Sequence, residues 1–288
     1  MTGIIGAIIG ATGFGTANIV IKKSLSTLTI PQTLMMSTLS GIFFLTIFAL
    51  LSHGFADITL STFLAAIALA GGETCLYLIL YKTFDVSNVT VAAAVSGTYP
   101  LLSTLVTALL FSEFPSQSRL FFIFLLVVGG IVTSIDWNGV FKNGFDKKDL
   151  VKGFGWIVAT TFIHALYFPL LGGFTANGAW QTKLLLIKIV SAILLFIVFF
   201  VIRKQSVLPS KDRMPFTSLL GLLEVIGWAG YSWASNSTDE QKAVLIAALN
   251  SSSLVTAILA YFFLNEKLSK FQYLGIIMII VSLTGLSF

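Results

Sequence analysis

Two glutamates, Glu73 and Glu224, stand midway along otherwise apolar runs, in Ala70-Gly71-Gly72-Glu73-Thr74 and Leu222-Leu223-Glu224-Val225. A charged carboxylate at the centre of a membrane helix costs roughly 2.5–3.5 kcal/mol on insertion scales, so such a residue is expected to face a bundle interior and to mark a pathway. Desolvation disfavours the ionised form, so either acid is expected to hold a proton and release it when a cation or water arrives, the chemistry of a proton antiporter. The competing reading is a neutral structural acid bonded to a neighbouring helix. Trp228 and Tyr231 follow Glu224 by four and seven residues and Tyr77 follows Glu73 by four, which puts each set on one helical face. An aromatic wall beside a carboxylate suits an organic cation or the ammonium of a zwitterion. Against this, Trp and Tyr also collect at bilayer interfaces, and Trp156 and Trp233 read as such belt residues.

Lys188 is the single cation expected inside a span. It either snorkels to the headgroups, neutralises Glu73 or Glu224, or holds a substrate carboxylate. His164 is read either as a substrate ligand or proton shuttle or as a satisfied core histidine. Asn18 and Asn250, with Ser251 to Ser253, offer neutral hydrogen-bonding groups at depth, to a substrate or between helices. No Gly-rich loop ending in Gly-Lys-Ser/Thr occurs, and His53 and His164 lie too far apart for a metal-binding spacing, so neither ATP coupling, a metal nor another cofactor is expected. Cys75, the only cysteine, lies in an apolar run; it excludes an internal disulfide and is expected to pack in the core.

The elements that must hold these groups follow from composition. Of 288 residues, 56% are hydrophobic and 10% charged, and the mean hydropathy of +0.95 belongs to a membrane protein rather than a soluble fold. Runs of about 20 apolar residues must be helical in lipid, where backbone groups bond within their own segment. Ten are expected, at 3–21, 32–52, 60–81, 88–111, 118–135, 153–172, 181–202, 216–235, 242–264 and 271–288. The first has no preceding basic residues and reads as a mature span rather than a signal peptide. Its glycines 3, 6, 10 and 13 recur at helical spacing, an expected packing ridge. Thirteen basic residues, from Lys22 to Lys270, flank odd-numbered breaks, against Arg119, Lys183 and Lys242 at even ones. The asymmetry places the odd loops in the cytoplasm and both termini outside, in a multi-pass plasma-membrane protein. The net charge of +5 is thereby read as an orientation signal, with no nucleic-acid partner.

The widest break, 137–152, separates a first five-helix unit, 1–136, from a second, 153–288. Phe14 to Asn18 lies opposite Ile163 to Tyr167, and Ser96 through Glu113 runs parallel with Leu249 through Glu266, followed by Gly129 and Gly275. A repeat of five helices is odd-numbered, so its copies must cross the membrane in opposite senses, as in secondary transporters with a substrate site between the copies.

On these residues the chain resembles the drug/metabolite transporter superfamily, in particular its ten-helix EamA-type members. The family's first-span pattern of aromatic, Trp, Gly, small residue and Asn, with a basic residue following, is matched by Phe14, Asn18 and Lys23, with Gly15 where Trp is usual. Its fourth-span proline is matched by Pro100, and its Leu-Gly-Glu ending by Leu110 to Glu113. Ser253 stands where the second proline would be, and Ser112 and Asn265 replace the glycine before each glutamate. The resemblance implies a carrier of small organic metabolites working by alternating access without ATP. The cargo is expected to be cationic or zwitterionic, with protons as an expected coupling partner. The alternative is a same-fold carrier of sugars or other neutral metabolites, and a further one a membrane-embedded enzyme or scaffold.

Overall fold

The computed structural model describes residues 2–112, 114, 116–134, 137, 152–176, 178–209, 214–237, 242–266 and 269–286. Glu113, Lys211, Arg213, Lys267 and most of the expected connecting loop 137–152 lie outside the described residues.

Among the described residues the fold is all-helical: α1 Thr2–Leu25, α2 Ile30–Leu51, α3 Leu60–Val86, α4 Val89–Ser96, α5 Tyr99–Phe111, α6 Gln117–Ser134, α7 Phe154–Thr175, α8 Trp180–Leu195, α9 Met214–Ser237, α10 Lys242–Leu249, α11 Ser252–Leu264 and α12 Lys270–Leu286. Local chemistry starts them. Thr29 and Gln32 form a capping box ahead of α2, with Pro31 in its first turn. Thr59 and Asn88 accept from the Thr62 and Val91 amides at the starts of α3 and α4. The end of α8 widens into a π-helix over Phe196–Ile202. Among the described residues six stretches are long and apolar enough to cross a membrane: Gly3–Leu25, Ile30–Leu51, Leu60–Val86, Val89–Phe111, Phe154–Thr175 and Trp180–Ile202. Shorter apolar helices cover Gln117–Gly130, Ser252–Leu264 and Lys270–Ser282.

The expected spans differ from this in two ways. The third helix runs on to Val86, through the Lys82–Asp85 pair, which spans one helical turn at 2.8 Å. The fourth and ninth expected spans are each two helices, broken at Gly97-Thr98 and at Asn250-Ser251. At the first break Pro100 has no N–H to give to Ser96, and the chain continues through a tight turn in which Thr98 N bonds Val95 O. The second break has no proline. There Ser253 N turns back to Asn250 O.

The glycine ridge of α1 packs across the two halves. A Cβ on Gly6, Gly10 or Gly13 would come within 2.7–2.9 Å of backbone atoms of Gly227 or Gly230 on α9, so only glycine permits this approach. α6 meets α12 in the same manner: a Cβ on Gly129 would lie 2.7 Å from Gly275 O. Both helix ends that precede the expected glutamates adopt left-handed backbone, Ser112 at φ 57° and Asn265 at φ 53°. That conformation favours glycine, the residue that the resemblance implies there. Cys75 departs from expectation, being exposed on the outer face of α3 rather than packed in the core.

Candidate functional site

Glu73 and Glu224 are 2% exposed and converge on Lys188, which is 3% exposed. Lys188 Nζ lies 2.8 Å from Glu73 Oε1 and 3.7 Å from Glu224 Oε2. The remaining carboxylate valences are met by hydroxyls. Ser191 Oγ donates to Glu73 Oε2 at 2.8 Å, Ser37 Oγ to Glu224 Oε2 at 2.6 Å and Tyr81 OH to Glu224 Oε1 at 2.8 Å. A snorkelling Lys188 is thus excluded in this structure: its ammonium points into the bundle because two buried acids attract it more strongly than the distant headgroups can. It also stands 4.9 Å from the centroid of the Tyr77 ring.

Four helices supply this cluster, α2, α3, α8 and α9, and apart from Lys188 and Glu224, which share the second half, the pairs that touch belong to opposite halves. Glu73 on α3 meets Lys188 and Ser191 on α8, while Glu224 on α9 meets Ser37 on α2. One spacing relates them: 73 to 224, 37 to 188, 40 to 191 and 77 to 228 are each 151 positions apart. Equivalent positions of the two halves therefore meet in one cluster. Trp228 Nε1 donates to Tyr77 OH at 2.7 Å, a direct bond between two such equivalents.

Tyr77 and Trp228 also form the wall between the charged cluster and a cavity of about 60 Å³. Phe14, Asn18, Tyr99, His164, Phe168, Asn250 and Ser253 complete much of its lining. His164 stacks on Tyr99 and Phe168 at 5.3 and 5.5 Å between centroids, and its Nδ1 donates to Thr160 O at 2.8 Å. Asn18 Nδ2 donates to Thr256 Oγ1 at 2.9 Å, and Asn250 Nδ2 to Gly97 O at 2.5 Å. Ser253 Oγ donates to Ala93 O at 2.9 Å, so the two broken helices cross at their breaks on the cavity wall. A Cβ on Gly97 would lie 2.6 Å from Ser253 Oγ and 2.7 Å from Asn250 Oδ1, which makes glycine a condition of that crossing.

Of the residues singled out from sequence, Tyr77, Trp228, His164, Asn18 and Asn250 border the cavity, whereas Glu73, Glu224, Lys188 and Tyr231 do not. Glu73 instead lines a separate void of about 10 Å³ with Thr38, Thr74 and Ser191. Tyr231 is fully buried and its hydroxyl donates to Phe168 O at 2.8 Å, so its expected place in the aromatic wall is taken by Phe14, Tyr99 and Phe168. Ser37, Tyr81 and Ser191 are participants that residue type alone does not reveal. The spacing of 151 is the signal that finds Ser37, as the counterpart of Lys188.

The sequence model of the EamA-like transporter family matches residues 1–135 and again 151–288. The chain belongs to the EamA-like transporter family. It is a multi-helix integral membrane protein of two repeats, consistent with the drug/metabolite transporter superfamily, and its family moves small molecules across membranes. A solved structure described as "Crystal structure of protein" is similar at a TM-score of 0.68 and 17% identity, over 97% of this chain and 98% of that chain. At that identity the likeness concerns the fold alone. No curated protein matches. In this EamA-like chain the cavity lies at the crossing of the two halves' broken helices, with Phe14, Asn18, Tyr77 and Tyr99 from the first half and His164, Phe168, Trp228 and Asn250 from the second.

Proposed function

We propose that this protein is a secondary active carrier of a small amphiphilic metabolite bearing an ammonium group, a cation or a zwitterion, and that it exchanges its cargo against a proton held in the Glu73–Lys188–Glu224 cluster. The observation that carries this reading is the shared Tyr77–Trp228 wall, with the aromatic cavity on it and the buried charges against it. Phe14, Tyr77, Tyr99, Phe168 and Trp228 supply the π faces that attract an ammonium, and Asn18, Asn250 and Ser253 supply hydrogen bonds to its polar remainder.

The ten expected crossings are then six long spans plus α6, α9, α10–α11 and α12, arranged as two inverted units, 1–136 and 153–288, joined by a cytoplasmic segment 137–152. Both termini face outward in the plasma membrane. The rival cargo class, sugars and other neutral metabolites, has one observation in its favour: none of the residues lining the cavity carries a formal charge, His164 taken as neutral.

A thermal-shift panel on the detergent-purified protein separates the two, because a ligand that binds the folded state raises Tm by mass action. Amino acids, choline and tetramethylammonium are expected to raise it. A shift with glucose or glycerol but none with the ammonium compounds transfers the reading to neutral cargo.

A further inference from the structure

The charged cluster is lopsided where its scaffold is symmetric. Glu73 and Glu224 occupy equivalent positions in the two repeats, and so do Ser37 and Lys188, so the same half-site is built twice: an acid on the third helix of one repeat against the second helix of the other. One half-site holds an ammonium and the other a hydroxyl. A single Nζ therefore serves two carboxylates, 2.8 Å from one and 3.7 Å from the other, with the second already in reach of it.

We propose that Lys188 is a shuttling internal counter-ion: it pairs with Glu73 in the state seen here and with Glu224 in the alternative state, the carboxylate it leaves takes up one proton from water, and the carboxyl it joins releases one. The charge balances in both states, one ammonium, one carboxylate and one neutral carboxyl. The Glu73–Lys188 pair bridges the two repeats whereas Lys188 and Glu224 share the second, so a rocking that parts the repeats here opens the first pair and leaves Lys188 with Glu224. Each acid keeps a hydroxyl partner of its own while Lys188 is away, Ser191 for Glu73, and Ser37 with Tyr81 for Glu224. The void of about 10 Å³ beside Glu73 is at the lower bound for one water, which is where the proton would arrive on that side. The other titratable groups against the cluster are Tyr77 and Tyr81 from α3 and Tyr167 from α7, phenols that stay neutral in the range tested below. The inference deepens the carrier reading by naming how the coupling charge is kept, but its test needs no substrate, so a failed ligand screen and a failed shuttle are told apart.

The test is the Tm of the full-length protein in detergent between about pH 5 and pH 8, for the parent, Lys188→Met, Lys188→Met/Glu73→Gln and Lys188→Met/Glu224→Gln. Without the lysine, two buried acids need two protons, and the second is lost as pH rises. Lys188→Met should therefore lose roughly 5 °C or more over that interval beyond any change in the parent. Both double variants should recover, and to a similar extent, because the two carboxylates are interchangeable partners. If Lys188→Met cannot be purified, the recovery of monodisperse protein with each second change carries the same information. Rescue by Glu73→Gln alone would make Lys188 a fixed partner of Glu73 and overturn the shuttle. A Lys188→Met profile parallel to the parent's would overturn any role for its charge.

Discussion

Asn250 joins the two broken helices where they cross, by donating to Gly97 O from the equivalent position of the other repeat. Asn250→Ala leaves that buried carbonyl without its donor, and the expected cost is about 1–3 kcal/mol, seen as a lower Tm in detergent. Asn250→Asp, which offers an acceptor to an acceptor, should cost more. The same residue marks the limit of reading from residue types. Its amide was open to a substrate or to a neighbouring helix, and in the structure it serves the helix while bordering the cavity. Glu73, Glu224 and Lys188 are legible because an unpaired charge in lipid is too costly to lack a reason. Ser37 and Ser191 are not, since a hydroxyl in a membrane helix commonly bonds its own backbone, as Thr74, Thr83 and Thr161 do here.

At the level of helices, the breaks and ends follow local chemistry that sequence exposes unevenly. Pro100 announces the break in the fourth span, but the ninth has no proline and its break rests on Asn250-Ser251 and on contacts from the opposite repeat. Glu266 was legible only as a repeat marker. In the structure its carboxylate accepts from the Val89 and Thr90 amides and from Thr90 Oγ1, capping α4 across the repeat boundary with the stabilisation a negative charge gives a helix start. Lys22 Nζ donates to Phe84 O and Ser87 O at the same end of the bundle, closing the end of α3. The glycine ridge was legible, its partner helix was not, because spacing identifies a packing face without saying what packs on it. Two substitutions test this scale. Ser112→Gly relieves a left-handed residue and should add about 0.5–1 kcal/mol, read as a small rise in Tm. Gly13→Val puts a side chain where Cβ alone meets Gly227 N and Leu223 O at 2.7 Å, and should cost roughly 3 kcal/mol or more, read as loss of monodisperse protein.

For the whole molecule, composition and apolar run lengths suffice to place the chain in a membrane as a helix bundle, because lipid leaves few alternatives to helix. Which helices of one repeat pack on which of the other is not encoded in run length, and it decides the site: α1 lies on α9, and α3 on α8, so the halves interlock instead of standing side by side. Orientation is testable directly. Single cysteines at Gln205 and Asn143, in a Cys75→Ser background, should stay unreactive toward an impermeant maleimide in intact cells and react after permeabilisation; labelling of both in intact cells would invert the topology. The central claim, that the buried acids couple cargo movement to a proton, is tested most directly inside proteoliposomes loaded with pyranine. The ammonium compound that most raises Tm is added outside, and the internal pH is followed for the parent, Glu73→Gln and Glu224→Gln. The parent should alkalinise the interior as protons leave against the entering cation, and at least one Gln variant should respond no more than protein-free vesicles. Equal alkalinisation by the parent and both variants would contradict the account.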